Sequence, residues 1–230
     1  MEINEIRDTA KQIQLRNADL TFKFILIGDS NVGKTCFLYR FLQNEFNEES
    51  TPTIGLEHGS RVIHLRNSRV NISVWDTAGT ETFRSMSKQY YRSSSAVFLV
   101  FDLTNNESFL NCNAWLDEYL DNCSSESPTI ILIGNKSDRT SMRRVKKENI
   151  EKFVEIYGLI YFETSAKDGK NVDQAFIDCA EIVYRKCEES KIDVNSRESG
   201  AFFTRDLLNS NFDTVRLGDE RNKPKYCYCF

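Results

Sequence analysis

The sequence GDSNVGKT from Gly28 to Thr35 constrains the fold more than any other part of the chain. It follows the apolar run Phe22–Ile27 and leads into a helix-period run, Lys34–Gln43. Glycines and a lysine at this spacing, between a strand and a helix, form a loop whose backbone N–H groups converge on phosphate oxygens. The lysine adds a point charge, and the threonine hydroxyl suits Mg²⁺. The motif predicts a nucleotide-phosphate site contacted by Asp29, Ser30, Asn31, Val32, Gly33, Lys34, Thr35 and Cys36.

Strand-like and helix-like runs alternate along the rest of the chain. Near-continuous apolar strands that alternate with helices indicate a mostly parallel sheet covered on both faces. A short polar link between Arg61–Leu65 and Val70–Trp75 predicts an antiparallel hairpin at one edge. The pattern therefore predicts an α/β fold with a mostly parallel six-stranded sheet, one antiparallel edge strand and helices on both faces. The other predicted strands are Ala96–Phe101, Thr129–Ile133 and Leu159–Phe162, and the other predicted helices are Glu107–Leu120, Lys147–Tyr157 and Val172–Tyr184.

Length and composition set the domain organisation. The 230 residues divide into an N-terminal extension (1–20), one domain (21–189) and a flexible tail (190–230), where the periodicity fails. The net charge of −4 excludes a nucleic-acid binder driven by bulk positive charge. We expect no secretory signal and no membrane span, because the first residues are polar and no apolar run is long enough. The odd number of cysteines, seven, favours reduced thiols.

A phosphate loop alone leaves ATP and GTP both open, and a second motif favours guanine. Asn135-Lys136-Ser137-Asp138 directly follows a predicted strand. The Asp138 carboxylate can accept hydrogen bonds from guanine N1–H and N2–H₂, whereas adenine would leave it unpaired. Asn135 can tie this loop to the phosphate loop, and the stem of Lys136 can lie on the base. The later run Thr164-Ser165-Ala166-Lys167 offers a backbone N–H for guanine O6.

Two further segments are candidates for sensing the γ-phosphate. Asp76 can hold Mg²⁺ through water, the Gly79 N–H can bond the γ-phosphate, and Thr53 offers a second hydroxyl to Mg²⁺. The motifs GDSNVGKT, TPTIG, WDTAG, NKSD and TSAK, in this order over about residues 20–185, resemble a Ras-superfamily small GTPase. WDTAG, FRSMSKQYYR and LEHGSRVI resemble the Rab branch. The resemblance implies a P-loop GTPase fold and GTP, GDP and Mg²⁺ as ligands, with Thr35, Thr53 and Asp76 at the metal.

The same resemblance implies roles for surface residues and partners. Phe46 matches the aromatic residue beside the guanine edge. Trp75 and Tyr90 match two of three aromatic residues that Rab effectors contact, with Ile54 and Gly55 nearby, and His58 stands where phenylalanine is usual. Ordinary core packing is the alternative for the two aromatic residues. The implied partners are an exchange factor, a GTPase-activating protein, effectors, a prenylation escort protein and a GDP-dissociation inhibitor.

Residue 80 departs from the family pattern. A glutamine after DTAG normally orients the attacking water, and here the residue is Thr80. Its hydroxyl stops roughly two bonds short of a glutamine amide, and it cannot offer a carbonyl and an NH₂ together. We therefore expect slow intrinsic hydrolysis, with Lys34 and Gly79 retained for charge stabilisation. Glu81 or an activating protein could restore turnover. The alternative is a membrane scaffold that holds GTP almost permanently.

The C-terminus predicts a lipid anchor. Cys227-Tyr228-Cys229-Phe230 matches both a CxC pair and a C-a-a-X box, so one or two geranylgeranyl groups are possible. Two chains would anchor stably and one only reversibly. We expect the protein on the cytosolic face of endomembranes, with a cytosolic pool and a role in vesicle trafficking.

Overall fold

The computed structural model describes residues 18–47, 56–77, 90–125 and 128–204. The strands are β1 (Leu20–Ile27), β2 (Leu56–Leu65), β3 (Ser68–Thr77), β4 (Ala96–Asp102), β5 (Thr129–Asn135), β6 (Ile160–Glu163) and β7 (Ala201–Phe203). The helices are α1 (Lys34–Gln43), α2 (Asn106–Leu110), α3 (Cys112–Asn122), α4 (Lys147–Tyr157) and α5 (Val172–Glu188), with 3₁₀ turns at Thr140–Met142 and Arg197–Ser199. In these ranges no helix is long and apolar enough to cross a membrane.

The sheet has the order β2-β3-β1-β4-β5-β6. The pairs β1–β3, β1–β4, β4–β5 and β5–β6 are parallel, and β2–β3 is antiparallel. In the register of β1 against β3, Leu26 lies opposite Asp76, and in that of β4 against β5, Asp102 lies opposite Asn135. Parallel strands carry their loops at one edge, so the motifs that follow β1, β3 and β5 meet there. The predicted fold class is confirmed, but the described residues form a seven-stranded sheet and not the predicted six-stranded one, because β7 adds a second antiparallel pair.

Helices cover both faces of the sheet, as the apolar strands predict. On one face α1 and α5 bury Phe37, Phe41 and Phe176, and the rings of Phe41 and Phe176 stack with centroids 3.9 Å apart. On the other face α3 and α4 bury Trp115 and Phe153. Each face excludes water from a core of its own, so the sheet is a stable base for the loops at its edge.

Several boundaries differ from the predicted ones. The hairpin strands are longer than predicted and are joined by Arg66 and Asn67, where Arg66 has a φ of 51°. The single helix predicted over Glu107–Leu120 is broken at Asn111, whose N–H bonds to both Glu107 O and Phe109 O. Helix α5 runs to Glu188, four residues past its predicted end.

The tail prediction fails for residues 201–203. They form β7, which pairs antiparallel with the first residues of β1, next to the place where β4 begins. Three residues are too few to show an apolar alternation, and the partner strand is far away in sequence, so no local pattern announces this pairing. The boundary between domain and tail at residue 190 otherwise stays a prediction.

Candidate functional site

The loop after β1 has a backbone built around a buried lysine. Gly28 has a φ of 137°, and a Cβ there would lie 2.1 Å from Val100 O, so only glycine fits. The Lys34 ammonium donates to Gly28 O at 2.9 Å and Asp29 O at 2.7 Å. Burial lowers the pKa of Lys34, while the charges of Asp76 and Asp29 oppose that shift. The loop therefore carries a desolvated positive charge at the N-terminus of α1, which is where phosphates bind.

The side chain of Asp29 points to α3 and does not line the loop, although the sequence analysis places Asp29 among the phosphate contacts. Its Oδ1 accepts from Trp115 Nε1 and its Oδ2 from Asn111 Nδ2, both at 2.7 Å. A carboxylate aimed at phosphates would be repelled, so a contact to the nucleotide is left to the backbone of Asp29. We call Asp29, Asn111 and Trp115 the Asp29 anchor, because together they fasten the loop to α3.

Two of the predicted Mg²⁺ ligands are adjacent. Thr35 Oγ1 donates to Asp76 Oδ2, and Asp76 is fully buried at the end of β3. Asp76 Oδ1 has no hydrogen-bond partner among the described residues. Burial raises the pKa of Asp76 to about 6, against the charge of Lys34 and the Thr35 hydrogen bond. A hydroxyl and an unsatisfied buried carboxylate oxygen fit a hard cation that prefers oxygen ligands.

The two predicted base-recognition loops are held together by Asn135. Its Nδ2 donates to Val32 O at 2.9 Å and its Oδ1 accepts from Ala166 N at 3.3 Å. This amide therefore joins the phosphate loop, the 135–138 loop and the 164–167 loop, and the predicted tie to the phosphate loop is present. The side chain of Lys136 also contacts the phosphate loop, because its ammonium donates to Asn31 O at 2.7 Å.

The carboxylate expected to select guanine is positioned by a neighbouring hydroxyl. Ser165 Oγ donates to Asp138 Oδ1 at 2.7 Å, and the Ser137 N–H donates to Thr164 O at 3.0 Å. These bonds hold the half-buried Asp138 carboxylate beside the 164–167 loop. Ser165 and Ala166 are buried and Lys167 is exposed.

Two supporting interactions are missed by sequence reasoning. Arg40 in α1 donates to Ala166 O at 2.7 Å and Lys167 O at 2.6 Å. Glu163, just before the 164–167 loop, receives both arms of the Arg143 guanidinium, at 2.9 and 2.7 Å. A basic residue in the last turn of a helix is common for dipole reasons, so Arg40 carries no distinctive signal.

Three rings form a surface cluster on the face covered by α3. The centroids of His58 and Trp75 are 4.4 Å apart, and those of Trp75 and Tyr90 are 5.1 Å apart. His58 is exposed and the other two rings are half-buried. Tyr90 also packs against the core on this face, so the core-packing alternative holds in part for Tyr90. We call His58, Trp75 and Tyr90 the aromatic cluster. His58 Nε2 also lies 3.0 Å from Ser73 Oγ.

The positions of the remaining candidates are reported briefly. Phe46 lies partly exposed after α1, and Cys36 lies in its first turn. Seven candidates lie outside the described residues, and their roles stay predictions: Thr53, Ile54, Gly55, Gly79, Thr80, Cys227 and Cys229.

Comparison with known families agrees with this geometry. A family model described as the Ras family matches residues 23–185, which is well over half of the chain. The match spans the phosphate loop, Asp76 and both base-recognition loops.

Proposed function

Because the chain belongs to the Ras family of small GTPases, we propose that it is a Rab-type switch in vesicle trafficking. The family assignment itself supports a GTP- and GDP-binding switch that has GTPase activity, typically uses Mg²⁺ and works with exchange factors, activating proteins and effectors. In the proposed cycle, bound GTP orders the segments around Thr53 and Gly79, and loss of the γ-phosphate releases them.

The aromatic cluster is the observation that carries the Rab-type proposal. His58 lies on β2, Trp75 lies on β3, and Tyr90 precedes β4, so the cluster is formed by residues that are close in sequence to both segments proposed to respond to the γ-phosphate. Aromatic rings that pack against one another at a surface offer a large, rigid area to a partner at low entropic cost. His58 adds a polar ring at its exposed end, where the family pattern has phenylalanine, so covering this end with a partner costs more desolvation than covering a phenyl ring.

Mg²⁺ would be held by Thr35, Thr53 and Asp76 and would offset the charge of the β- and γ-phosphates when bound. Lys34 would move its ammonium from the loop carbonyls to the phosphate oxygens. The Gly79 N–H would bond the γ-phosphate, and no side chain in the described ranges is placed as a nucleophile. Positioning and charge stabilisation then account for the catalysis.

We propose that Thr80 makes intrinsic hydrolysis slow, so that the GTP-bound state is long-lived. The test is single-turnover hydrolysis of bound GTP in Mg²⁺ by the natural protein and by Thr80→Gln. We expect Thr80→Gln to be faster by about tenfold or more, in line with the loss when one preorganised transition-state donor is removed. Thr82→Gln, two residues away, is the matched control and should hydrolyse at the natural rate.

Equal rates for the natural protein and Thr80→Gln would contradict the role given to residue 80, and Glu81 would be changed next. The alternative function, a membrane scaffold that does not cycle, rests on the same threonine. A rate at the uncatalysed background that no activating protein raises would select the scaffold.

Prenyl groups on Cys227 and Cys229 would place the switch on the cytosolic face of endomembranes, with an escort protein and a GDP-dissociation inhibitor serving the cytosolic pool. The residues from Cys187 to the end have nearly balanced charge, so lipid must supply most of the membrane affinity. Intact mass after enzymatic prenylation distinguishes one added chain from two, and no added mass would refute the anchor.

A further inference from the structure

The segment after α5 returns to the sheet and closes on β1. We call residues 192–204 the strap. Ile192 is buried in the core shared with α1 and α5, and Ala201 is fully buried there too. The Lys23 N–H donates to Gly200 O at 2.7 Å, and Thr204 N–H donates to Asp19 O at 3.1 Å. The strap is therefore docked at both ends by apolar burial and backbone hydrogen bonds.

The strap also packs on the loop that follows the aromatic cluster. Gly200 has a φ of +71°, and a Cβ there would lie 2.3 Å from Ser95 N and 2.7 Å from Ser93 O. The Ser95 N–H in turn donates to Lys23 O at 2.9 Å. The backbone of Lys23 is thus bonded to the strap through its N–H and to the loop of residues 93–95 through its C=O.

The side chain of Lys23 contacts the aromatic cluster. Its ammonium donates to Tyr90 O at 3.2 Å and Ser93 Oγ at 2.9 Å, and it lies 5.3 Å from the ring centroids of both Trp75 and Tyr90. Burial lowers the pKa of Lys23 to about 8. Both of these acceptors are uncharged, so this partly buried cation depends on hydrogen bonds and ring faces for much of its solvation.

We propose that the docked strap holds the rings of the aromatic cluster in their observed arrangement, and that Lys23 is the positioning residue that connects the strap to the cluster. Undocking the strap removes the acceptor of the Lys23 amide and the cover of residues 93–95, which frees Tyr90 to move away from Trp75. That a partner binds the aromatic cluster rests on the proposed function. The coupling between the strap and the cluster does not, because it involves contacts within this chain alone.

Hydrogen exchange on the full GDP-bound chain tests the coupling with two amides. The Lys23 amide bonds to the strap and reports docking, while the Ser95 amide reports the loop. Gly200→Ala places a methyl group against backbone, and Gly158→Ala is the matched control. Gly158 has a similar φ of +61° but nothing within 4 Å of its Cβ position.

We expect Gly200→Ala to speed exchange of both amides about tenfold, the factor for losing one net hydrogen bond. Gly158→Ala should change neither. If Gly200→Ala leaves the strap docked, Ala201→Glu puts a charge at a fully buried position and forces it out. Faster exchange at Lys23 with unchanged exchange at Ser95 would overturn the coupling.

A second variant tests the role of Lys23. Lys23→Met keeps the apolar stem but removes the ammonium. The hydrogen bonds of that ammonium to Tyr90 O and Ser93 Oγ are therefore lost, while the backbone bond to Gly200 remains. Exchange of the 90–95 amides should rise while that of 201–203 stays unchanged. No rise at 90–95 would show that Lys23 does not connect the strap to the cluster. Neither measurement needs a partner, so both can fail or succeed independently of the Rab-type proposal.

Discussion

Removing the indole N–H of Trp115 tests whether the Asp29 anchor holds the phosphate loop in its binding shape. Trp115→Phe keeps a buried ring but deletes the 2.7 Å hydrogen bond to Asp29 Oδ1. A hydrogen bond to a charged acceptor contributes about 1.5–3 kcal/mol. The smaller ring adds a packing cost that has nothing to do with the loop.

A double-mutant cycle with Asp29→Ala, which removes the acceptor, separates the two costs, because the packing loss of Trp115→Phe is the same with aspartate or alanine at residue 29. We expect a coupling free energy of about 1.5 kcal/mol or more, which corresponds to roughly tenfold faster dissociation of GDP. The assay is release of a fluorescent GDP analogue from the Mg²⁺-loaded protein, with urea unfolding measured in parallel.

Tyr119→Phe is the matched control. Tyr119 is fully buried on the same helix and its hydroxyl hydrogen-bonds Ser94 Oγ at 3.1 Å, so the variant loses a buried polar group away from the loop. It should lower stability and leave GDP release unchanged. If Trp115→Phe also lowers stability without affecting GDP release, or if the coupling is near zero, the anchor supports the fold and not the site.

Two further predictions follow from the loops around the base. Asn135→Ala removes the hydrogen bonds to Val32 O and Ala166 N, so about 2 kcal/mol of GDP-binding free energy is lost. GDP should then dissociate roughly 30-fold faster in the same release assay. The control Asn149→Ala, at an exposed position, should have no effect. The Arg143 hydrogen bonds lower the pKa of Glu163 below the ordinary value of a glutamate carboxyl. This carboxylate therefore adds stability above that ordinary value, and the stability is lost as the pH falls through the folded pKa. Urea titrations should show that Arg143→Met flattens this acid-side loss, and an unchanged pH profile would contradict it.

Local signals account for most of what the sequence predicts correctly. The phosphate loop, α1 and α4 have the predicted bounds, because each is defined by a motif or a helical period within one segment. The contact between Asn135 and the phosphate loop is also predicted correctly, because both follow parallel strands whose ends lie at the same edge of the sheet.

The features that escape prediction depend on long-range contacts or on the direction of one side chain. The strap is bonded to a strand that begins more than 170 residues earlier, and it is too short to show a period. The motif predicts a nucleotide contact for Asp29 but not the direction of its carboxylate, which lies against Asn111 and Trp115. Lys23, between Phe22 and Phe24 in an apolar strand, was the overlooked signal, because a lysine there needs buried acceptors.

Competition between nucleotides tests the central claim, guanine-specific binding, most directly. Fluorescent GDP bound to the full chain in Mg²⁺ should be displaced by GDP and GTP, with ADP and ATP weaker by at least about 10³-fold, because adenine leaves Asp138 unpaired. Asp138→Asn exchanges an acceptor for a donor, so it should lose guanine preference and gain affinity for xanthosine diphosphate, whose 2-oxo group accepts. Displacement by ATP as readily as by GTP, or an unchanged preference in Asp138→Asn, would contradict guanine recognition by this loop.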